Sequence, residues 1–273
     1  MTNFQFSLLV FSTVCIAAGG YIINDIYDVD IDTFNSPEKV IVGQKISETA
    51  AYNFYKVTCV LSIVSTLTLA VLTKEYRLST FPIIIMVVLF FYASMFKKQL
   101  ILGNLTVAFC SAFTIFLISL FESGGNYMLG PNETAYRSSI FIGALVYSLF
   151  AFLTTFIREI VKDIEDKTGD EQYDCKTIPI QFGNLTAKIV SAFFALLVIL
   201  MQLSFVLFFL KMKIEKVHLF VIFGLMLPLI LIIVYLFIAK TTKQFHFVSN
   251  LIKIYMLLGI TSMLYFSKGL SPI

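Results

Sequence analysis

The stretch NDIYDVDID, residues 24–32, follows directly on an apolar run, residues 4–23, that contains no charged side chain. Four carboxylates at the end of a membrane-length segment are costly to place there, so they indicate a functional site. If the helix continues into this stretch, Asn24, Asp28 and Asp32 share one face, because residues four apart are neighbours on a helix.

The two remaining aspartates of this stretch take different positions. Asp25 is three residues from Asp28 and therefore close to it, whereas Asp30 points roughly 200° away from Asp28 at about 100° per residue. One helix face thus presents an amide and three carboxylates. Carboxylates so placed repel one another unless a cation lies between them. Oxygen ligands suit a hard cation, and we predict Mg²⁺.

The composition is that of an integral membrane protein. The chain has 273 residues, of which 58% are hydrophobic and only 14% charged, and its mean hydropathy is +0.88. Soluble domains are roughly 45–50% apolar. The four cysteines contain no CxxC pair, so neither a disulfide framework nor a zinc site is indicated. We predict an all-α polytopic membrane protein with a single domain, residues 1–273, with membrane lipid and no nucleic acid among its partners.

Eight apolar runs are long enough, or nearly long enough, to span a bilayer, which takes about 17–25 residues. They cover residues 4–23, 57–72, 81–96, 105–121, 140–157, 189–210, 217–239 and 247–266. The second and third runs are short and need flanking residues. Pro82 fits a helix start, whereas Pro228 lies within a run and should kink it.

The charges are unevenly distributed between the two sides of the membrane. If residues 24–32 lie inside, most of the 20 lysines and arginines also fall inside, and both termini lie outside. Most of the 17 acidic residues then occupy two loops on that side. Solvated loops commonly carry charge, but the other inside loops, around residues 97–98 and 240–253, carry no acid. We therefore predict an active site on the cytoplasmic face of the cell (inner) membrane.

A second acidic stretch, residues 158–183, reads REIVKDIEDKTGDEQYDCKTIPIQFG. Asp166 and Asp170 are four residues apart, and Asp163 lies three before Asp166, so one helix face again gathers carboxylates. Arg158 and Lys162 precede Asp166 at steps of four, which places cations beside the acids. Two acidic helix ends facing each other would suit a diphosphate bridged by Mg²⁺.

A third element, YASMFKKQLILGN at residues 92–104, ends the third span. Lys97 and Lys98 alone would be read as a positive anchor on the inner side. Beside two acidic motifs, they are better explained as a clamp for a diphosphate.

In these three elements the chain resembles the UbiA-type intramembrane prenyltransferases. The first family motif, NDxxDxxxD, is matched by Asn24, Asp25, Asp28 and Asp32. The second, DxxxD, is matched by Asp166 and Asp170. The family's Tyr-Lys element between them is matched by Tyr92, Lys97, Lys98 and Gly103-Asn104. Their order and spacing, together with the spans, extend the resemblance over nearly the whole chain.

The chain departs from the family pattern in two respects. Many members follow the first motif with a basic-proline pair, whereas here Lys39 keeps the charge but lacks an arginine fork. The family usually has nine helices, and only 23 residues precede Asn24. We therefore expect eight spans, an open side beside residues 4–23, and a natural reading frame that starts further upstream.

The resemblance implies a helical bundle around a cavity that opens towards the bilayer, and a Mg²⁺-dependent transfer from a polyprenyl diphosphate to a lipophilic acceptor. The implied metal ligands are Asn24, Asp25, Asp28, Asp32, Asp163, Asp166 and Asp170. The implied catalytic residues among them are Asp28, Asp32, Asp166 and Asp170. The implied substrate-binding residues are Lys39, Tyr92, Lys97, Lys98, Arg158 and Lys162.

The acceptor is indicated by the sequence around the second motif. Residues 158–170 and 176–183 look most like members that prenylate a glycerol-phosphate lipid, of the geranylgeranylglycerol-phosphate type. An aromatic acceptor, such as a quinone precursor, remains an alternative. A cation-coupled membrane carrier is an alternative of another class, although it would place its acids mid-span, and here they cluster at span ends.

Overall fold

The computed structural model describes residues 1–35, 37–123, 131–211 and 217–269, with the backbone alone at positions 39, 123, 131–139 and 265–269. Within these ranges the chain is almost entirely helical and has no β-strand. The helices are α1 (Asn3–Tyr27), α2 (Val29–Asn35), α3 (Glu48–Thr73), α4 (Thr80–Ser94), α5 (Leu102–Ser123), α6 (Pro131–Gln172), α7 (Ile178–Lys211), α8 (Val217–Leu219), α9 (Leu227–Ile238) and α10 (Thr242–Gly269).

Seven helical segments in the described part are long and apolar enough to cross a membrane, with the α8–α9 segment counted once. The eighth apolar helix, α4, has 15 residues and is therefore about 22 Å long, shorter than the roughly 30 Å hydrocarbon core. Large apolar side chains such as Phe4, Tyr21 and Leu207 are exposed along these helices, as expected of surfaces that face lipid. The predicted all-α membrane fold with about eight spans is confirmed.

The second acidic stretch is helical for longer than the sequence indicates. The sequence predicts a span over residues 140–157 followed by an acidic loop, but α6 continues without a break to Gln172. The helix continues through Gly169, since no proline follows this glycine before Pro179. Helical hydrogen bonding persists to Tyr173, whose amide donates to the Gly169 carbonyl at 3.2 Å. Asp163, Asp166 and Asp170 therefore lie on helical backbone rather than in a loop.

Two later spans also contain irregularities. The next helix, α7, begins at Ile178 rather than at residue 189 and is interrupted at Gly183, whose φ of 84° is accessible mainly to glycine. The kink predicted at Pro228 takes the form of a π-helical turn, Phe220–Met226, immediately before α9. In a π-helical turn the backbone hydrogen bonds join residues five apart instead of four. The change of pattern occurs just before Pro228, which has no N–H to donate.

The described structure divides into two compact units, Met1–Leu149 with Thr168–Cys175, and Phe150–Lys167 with Lys176–Ile273. In the first unit α1 packs against α3 and α4. Its buried Ser12 hydroxyl is 2.7 Å from Thr66 Oγ1 and 3.1 Å from Ser62 Oγ, both on α3. Hydrogen bonds of this kind link helices where the hydrophobic effect does not. They orient the helix that leads into the first motif.

Within the second unit, buried polar side chains of α7 link this helix to α9 and α10. Gln202 on α7 donates from Nε2 to Tyr255 Oη on α10 at 2.5 Å. Lys188 on α7 donates from Nζ to the carbonyls of Ala239 (2.6 Å) and Phe237 (3.2 Å), which end α9. A lysine at a helix C-terminus satisfies carbonyls that have no partner within the helix. The organisation of residues 1–273 as one domain stays a prediction.

Candidate active site

The first motif lies at the junction between α1 and α2. Asp28 separates the two helices with a φ of −99° and a ψ of 1°. The helix is therefore interrupted here, but the hydrogen-bond ladder is not: the Asp28 amide donates to Asn24 O (2.9 Å), and the Asp32 amide donates to Asp28 O (2.8 Å). Asn24, Asp28 and Asp32 thus retain their steps of four along the helical backbone.

Asp28 is the most enclosed carboxylate of this motif, with 3% of its surface exposed. Its Oδ2 accepts hydrogen bonds from Asn24 Nδ2 and from Lys97 Nζ, and the lysine also forms an ion pair with it. A buried charge without such partners would be strongly unfavourable. Asn24 Oδ1 is buried and has no hydrogen-bond partner in the described part of the chain. A carbonyl oxygen therefore stands unsatisfied beside the paired carboxylate.

The other members of the first motif differ in burial. Asp25 and Asp32 are half-buried and Asp30 is exposed, an arrangement that agrees with a motif face from which Asp30 points away. Lys39 lies in a 3₁₀ turn, Pro37–Lys39, and its side chain falls outside the described part of the structure.

Lys97 reaches Asp28 from a 3₁₀ turn, Phe96–Lys98, which follows α4. Gly103 at the start of α5 packs against this turn so closely that a Cβ there would lie 3.0 Å from both Lys97 Cα and Phe96 O. A side chain at position 103 would displace the lysine backbone. Glycine at this position therefore helps to hold Lys97 in place.

The other residues of the Tyr-Lys element surround this turn. Asn104, next to Gly103, is buried, Tyr92 is half-buried and Lys98 is exposed. Two cations in adjacent positions of one turn are suited to an anion with several oxygens, such as a diphosphate.

The last carboxylate of the second motif lies in the same unit as Asp28. Asn35, at the end of α2, packs on Gly169: a Cβ built there would come closer than 3.0 Å to the terminal atoms of the asparagine. This contact joins the helix that follows the first motif to the last turns of α6. Asp170, the next residue, is buried with 7% of its surface exposed.

The pKa of Cys175 is affected by the charged residues near Asp170. Its thiol is buried, and its amide donates to Asp170 O at 2.9 Å. The pKa of the thiol is raised to about 11, and burial is the largest cause. The negative charges of Asp170 and Asp28 add to this increase in pKa, and the positive charges of Lys98 and Lys97 oppose it. Acids of both motifs and the lysines between them therefore act on one thiol, which the sequence pattern did not single out.

In the second unit α6 carries the rest of the second motif. Arg158 Nη1 donates to Glu159 Oε1 in an ion pair between adjacent residues. Lys162, Asp163 and Asp166 are half-buried. Each of these three interacts with another residue.

Two carboxylates of α6 were not predicted as site residues. Glu165 Oε1 is 2.7 Å from His246 Nδ1, and Glu159 is buried with 7% of its surface exposed. Glu159 could have been recognised from the sequence, because it is an acid only two residues beyond the apolar run 140–157.

The donor atoms fit the proposed ion by type. Within the described residues, no three His, Cys, Asp or Glu side chains converge closely enough to hold a metal ion. The unsatisfied Asn24 Oδ1 and the neighbouring Asp28 nevertheless offer oxygen ligands of the kind that Mg²⁺ prefers. Lys97 and a divalent cation would compete for the same carboxylate. These residues can therefore bind a cation, a diphosphate or both together.

Sequence comparison relates the chain to known proteins. The model of the UbiA prenyltransferase family matches residues 2–256. A digeranylgeranylglyceryl phosphate synthase of Saccharolobus solfataricus is 35% identical over 191 residues, which are 70% of this chain and 61% of that protein. The protein of the same name from Sulfurisphaera tokodaii is 34% identical over 221 residues, covering 81% of this chain and 71% of the relative. The chain thus spans about three fifths of the first of these relatives.

Solved structures share the fold over nearly the whole chain. A UbiA homologue from Aeropyrum pernix aligns with a TM-score of 0.71 at 15% identity, covering 97% of this chain and 91% of that one. A structure of digeranylgeranylglyceryl phosphate synthase aligns with a TM-score of 0.64 at 22% identity, covering 96% and 86%. A UbiA homologue from Archaeoglobus fulgidus, bound to GPP and Mg²⁺, gives a TM-score of 0.55 at 16% identity, covering 95% and 88%.

At these identities the structural likeness shows the fold alone. The family model, however, covers most of the chain, and the resemblance stated from the motifs is thereby confirmed. The chain belongs to the UbiA prenyltransferase family.

Proposed function

We propose that this protein is a Mg²⁺-dependent prenyltransferase that joins a prenyl group from a polyprenyl diphosphate to a glycerol-phosphate lipid in the membrane. The observation that carries the proposal is the ion pair between the buried Asp28 and the half-buried Lys97. Asp170 of the second motif lies in the same unit, and its charge acts on the Cys175 thiol together with those of Asp28 and Lys97. Acids that bind a cation and lysines that bind phosphate oxygens are the two requirements of diphosphate departure.

The residues at the diphosphate end have separable roles. Mg²⁺, when bound, would act as a Lewis acid that neutralises the leaving diphosphate. Its proposed ligands are Asn24, Asp25, Asp28, Asp32, Asp163, Asp166 and Asp170. The proposed contacts to the donor are Lys39, Tyr92, Lys97, Lys98, Arg158 and Lys162. In the donor complex, Lys97 would exchange its contact with Asp28 for a diphosphate oxygen.

The reaction itself requires one bond to break and one to form. The bond between C1 of the prenyl group and the diphosphate oxygen breaks, and its electron pair leaves on the diphosphate. A hydroxyl oxygen of the acceptor bonds to C1 and loses its proton. Apolar helices around the site limit the access of water, which would otherwise capture the allylic cation.

A lipid acceptor is supported by the relatives, which carry the name digeranylgeranylglyceryl phosphate synthase, and by residues 158–170 and 176–183, which look like those members. The distribution of lysine and arginine supports a site on the cytoplasmic face of the cell membrane.

The test is a transfer assay with the purified protein in lipid nanodiscs and labelled geranylgeranyl diphosphate. The panel of acceptors contains geranylgeranylglyceryl phosphate and the aromatic acid 4-hydroxybenzoate. We expect labelled product with the glycerol-phosphate lipid and none with the aromatic acid. Product formed only from the aromatic acid would assign the protein to the quinone-precursor class, and no product from either would contradict the proposal.

The metal requirement is tested in the same assay. Excess EDTA should abolish transfer, and added Mg²⁺ or Mn²⁺ should restore it, because every proposed ligand is an oxygen atom. Full turnover in excess EDTA would contradict the role of the acidic motifs as metal ligands.

A further inference from the structure

Glu159 is a buried carboxylate of α6, two residues beyond the apolar run 140–157, and 7% of its surface is exposed. A buried acidic residue at the end of a membrane span is costly and is rarely present without a function. Its ion pair with Arg158 stabilises the ionised carboxylate. Stability alone does not explain the pair, because a protein with apolar residues of similar size in place of a buried ion pair is often at least as stable.

Two neighbouring polar atoms have no partner within the described residues. Both Thr155 Oγ1 and Arg158 Nε are buried and make no hydrogen bond there. The adjacent Thr154 behaves differently, because its hydroxyl donates to the Phe150 carbonyl at 2.7 Å. Buried polar atoms without partners cost free energy. A ligand with a hydroxyl or ether oxygen at this level would satisfy them.

These groups share one side of α6 with the second acidic motif. Thr155 is four residues before Glu159, and Asp166 is seven after it, so that the three residues lie on one helix face. Seven residues correspond to about 10 Å along the helix axis. This separation would leave room for a diphosphate held near Asp166 and a reacting carbon near Glu159.

We propose that Glu159 is the general base that removes the proton from the hydroxyl of the lipid acceptor, and that Thr155 hydrogen-bonds an oxygen of its glycerol. The proposal rests on the prenyl transfer proposed above. As the oxygen of the acceptor bonds to C1, its proton passes to the carboxylate of Glu159, while the bond from C1 to the diphosphate breaks. Arg158 orients the carboxylate through its contact with Oε1.

The acids of the two motifs are less suited to this role. Their oxygens are proposed to ligate a cation at the diphosphate end, where a bound metal withdraws charge from them and makes them weaker bases. Glu159 precedes Asp163, the first proposed ligand on α6, by four residues and is paired with a single arginine, Arg158. An alcohol is a weak nucleophile, so a base that acts as the new bond forms should raise the rate by about 10²–10⁴-fold.

The first test compares Glu159→Gln with Glu171→Gln in the nanodisc assay. The glutamine keeps the shape of Glu159 and can still accept from Arg158, whereas Glu171 is an exposed acid of the same helix. We expect Glu159→Gln to lower kcat for transfer by about 10²-fold or more, with an unchanged Kd for the prenyl diphosphate. We expect Glu171→Gln to resemble the wild type.

The second test removes the carboxylate altogether. In Glu159→Ala, added formate should restore part of the transfer rate, because a small carboxylate can occupy the vacated space and accept the proton. A structural role for the glutamate would give no such rescue. In Thr155→Val the KM of the acceptor should rise while the KM of the donor stays constant, and Thr154→Val is the matched control.

The outcomes separate this proposal from the proposed function. Absence of transfer by the wild-type protein would contradict the prenyltransferase itself. A wild-type protein that transfers, together with a Glu159→Gln variant of equal rate, would overturn the role of Glu159 alone. Equal losses of donor binding and turnover in Glu159→Gln would also overturn it, because they would show that Glu159 acts only by supporting the contact of Arg158 with the donor.

Discussion

Asn35 and Gly169 pack so closely that a Cβ at position 169 would force the end of the asparagine side chain to move. A Cβ built there would lie under 3.0 Å from three atoms of the asparagine side chain, and Gly169 is itself buried. The contact joins the end of α2, three residues beyond Asp32, to the turn of α6 that carries Asp170. Gly169 is therefore a point of close approach between the two motif-bearing segments.

Gly169→Ala should therefore lower both the thermal stability and the transfer activity of the protein. Overpacking of this kind costs typically about 1–3 kcal/mol, and a shifted Asn35 side chain would weaken the contact between α2 and α6. Gly143→Ala is the control within α6, because a Cβ there meets nothing within 4 Å. The second-site change Asn35→Ala should restore much of the loss. Equal melting temperatures for Gly169→Ala and Gly143→Ala would contradict the close contact.

Asp28→Ala should reduce the rate of transfer by about 10²–10³-fold or more, the effect of losing one preorganised electrostatic group. Asp28 is buried between Asn24 and Lys97, whereas Asp30 is exposed. Asp30→Ala should accordingly have a much smaller effect. The transfer rates of both variants are compared at saturating donor. Equal reductions in rate at the two positions would mean that the motif face is wrongly assigned.

Lys97→Ala should weaken the binding of the prenyl diphosphate more than it slows the chemical step. A lysine contributes a point charge that the ground state and the transition state experience alike, so its removal raises KM with little change in kcat. The measurement is the steady-state KM of the donor, with Lys253→Ala, an exposed lysine of α10, as the control. A fixed KM with a reduced kcat would show that Lys97 acts mainly in the transition state.

Cys175 should react slowly with maleimides near neutral pH. The thiolate is the reactive form, and burial together with the charge of Asp170 raises the pKa of this thiol to about 11. Because the pKa is raised, the thiolate fraction is small at pH 8 and should increase about tenfold per pH unit until the pH nears that pKa. Mass spectrometry of metal-free protein that retains only this cysteine gives the rates. A rate that reaches its plateau below pH 9 would contradict the assignment.

The sequence by itself was sufficient for the class of fold and for the first motif. Uninterrupted apolar runs of spanning length have few alternatives to membrane helices, because lipid offers no hydrogen bonds to an open backbone. The steps of four from Asn24 to Asp32 follow from helical periodicity, and they survive the interruption at Asp28 because the hydrogen-bond ladder continues across it.

Only the tertiary structure revealed how separate segments meet. Three contacts join residues that helical periodicity does not relate. They are the contact between Asn35 and Gly169, the position of Cys175 beside Asp170, and the packing of Gly103 on the Lys97 turn. The extension of α6 to Gln172 was also hidden, because a charged stretch after an apolar run is typical of a loop as well as of a helix that leaves the membrane. Periodicity describes one helix at a time, whereas burial and pairing depend on which side chains a neighbouring segment brings into contact.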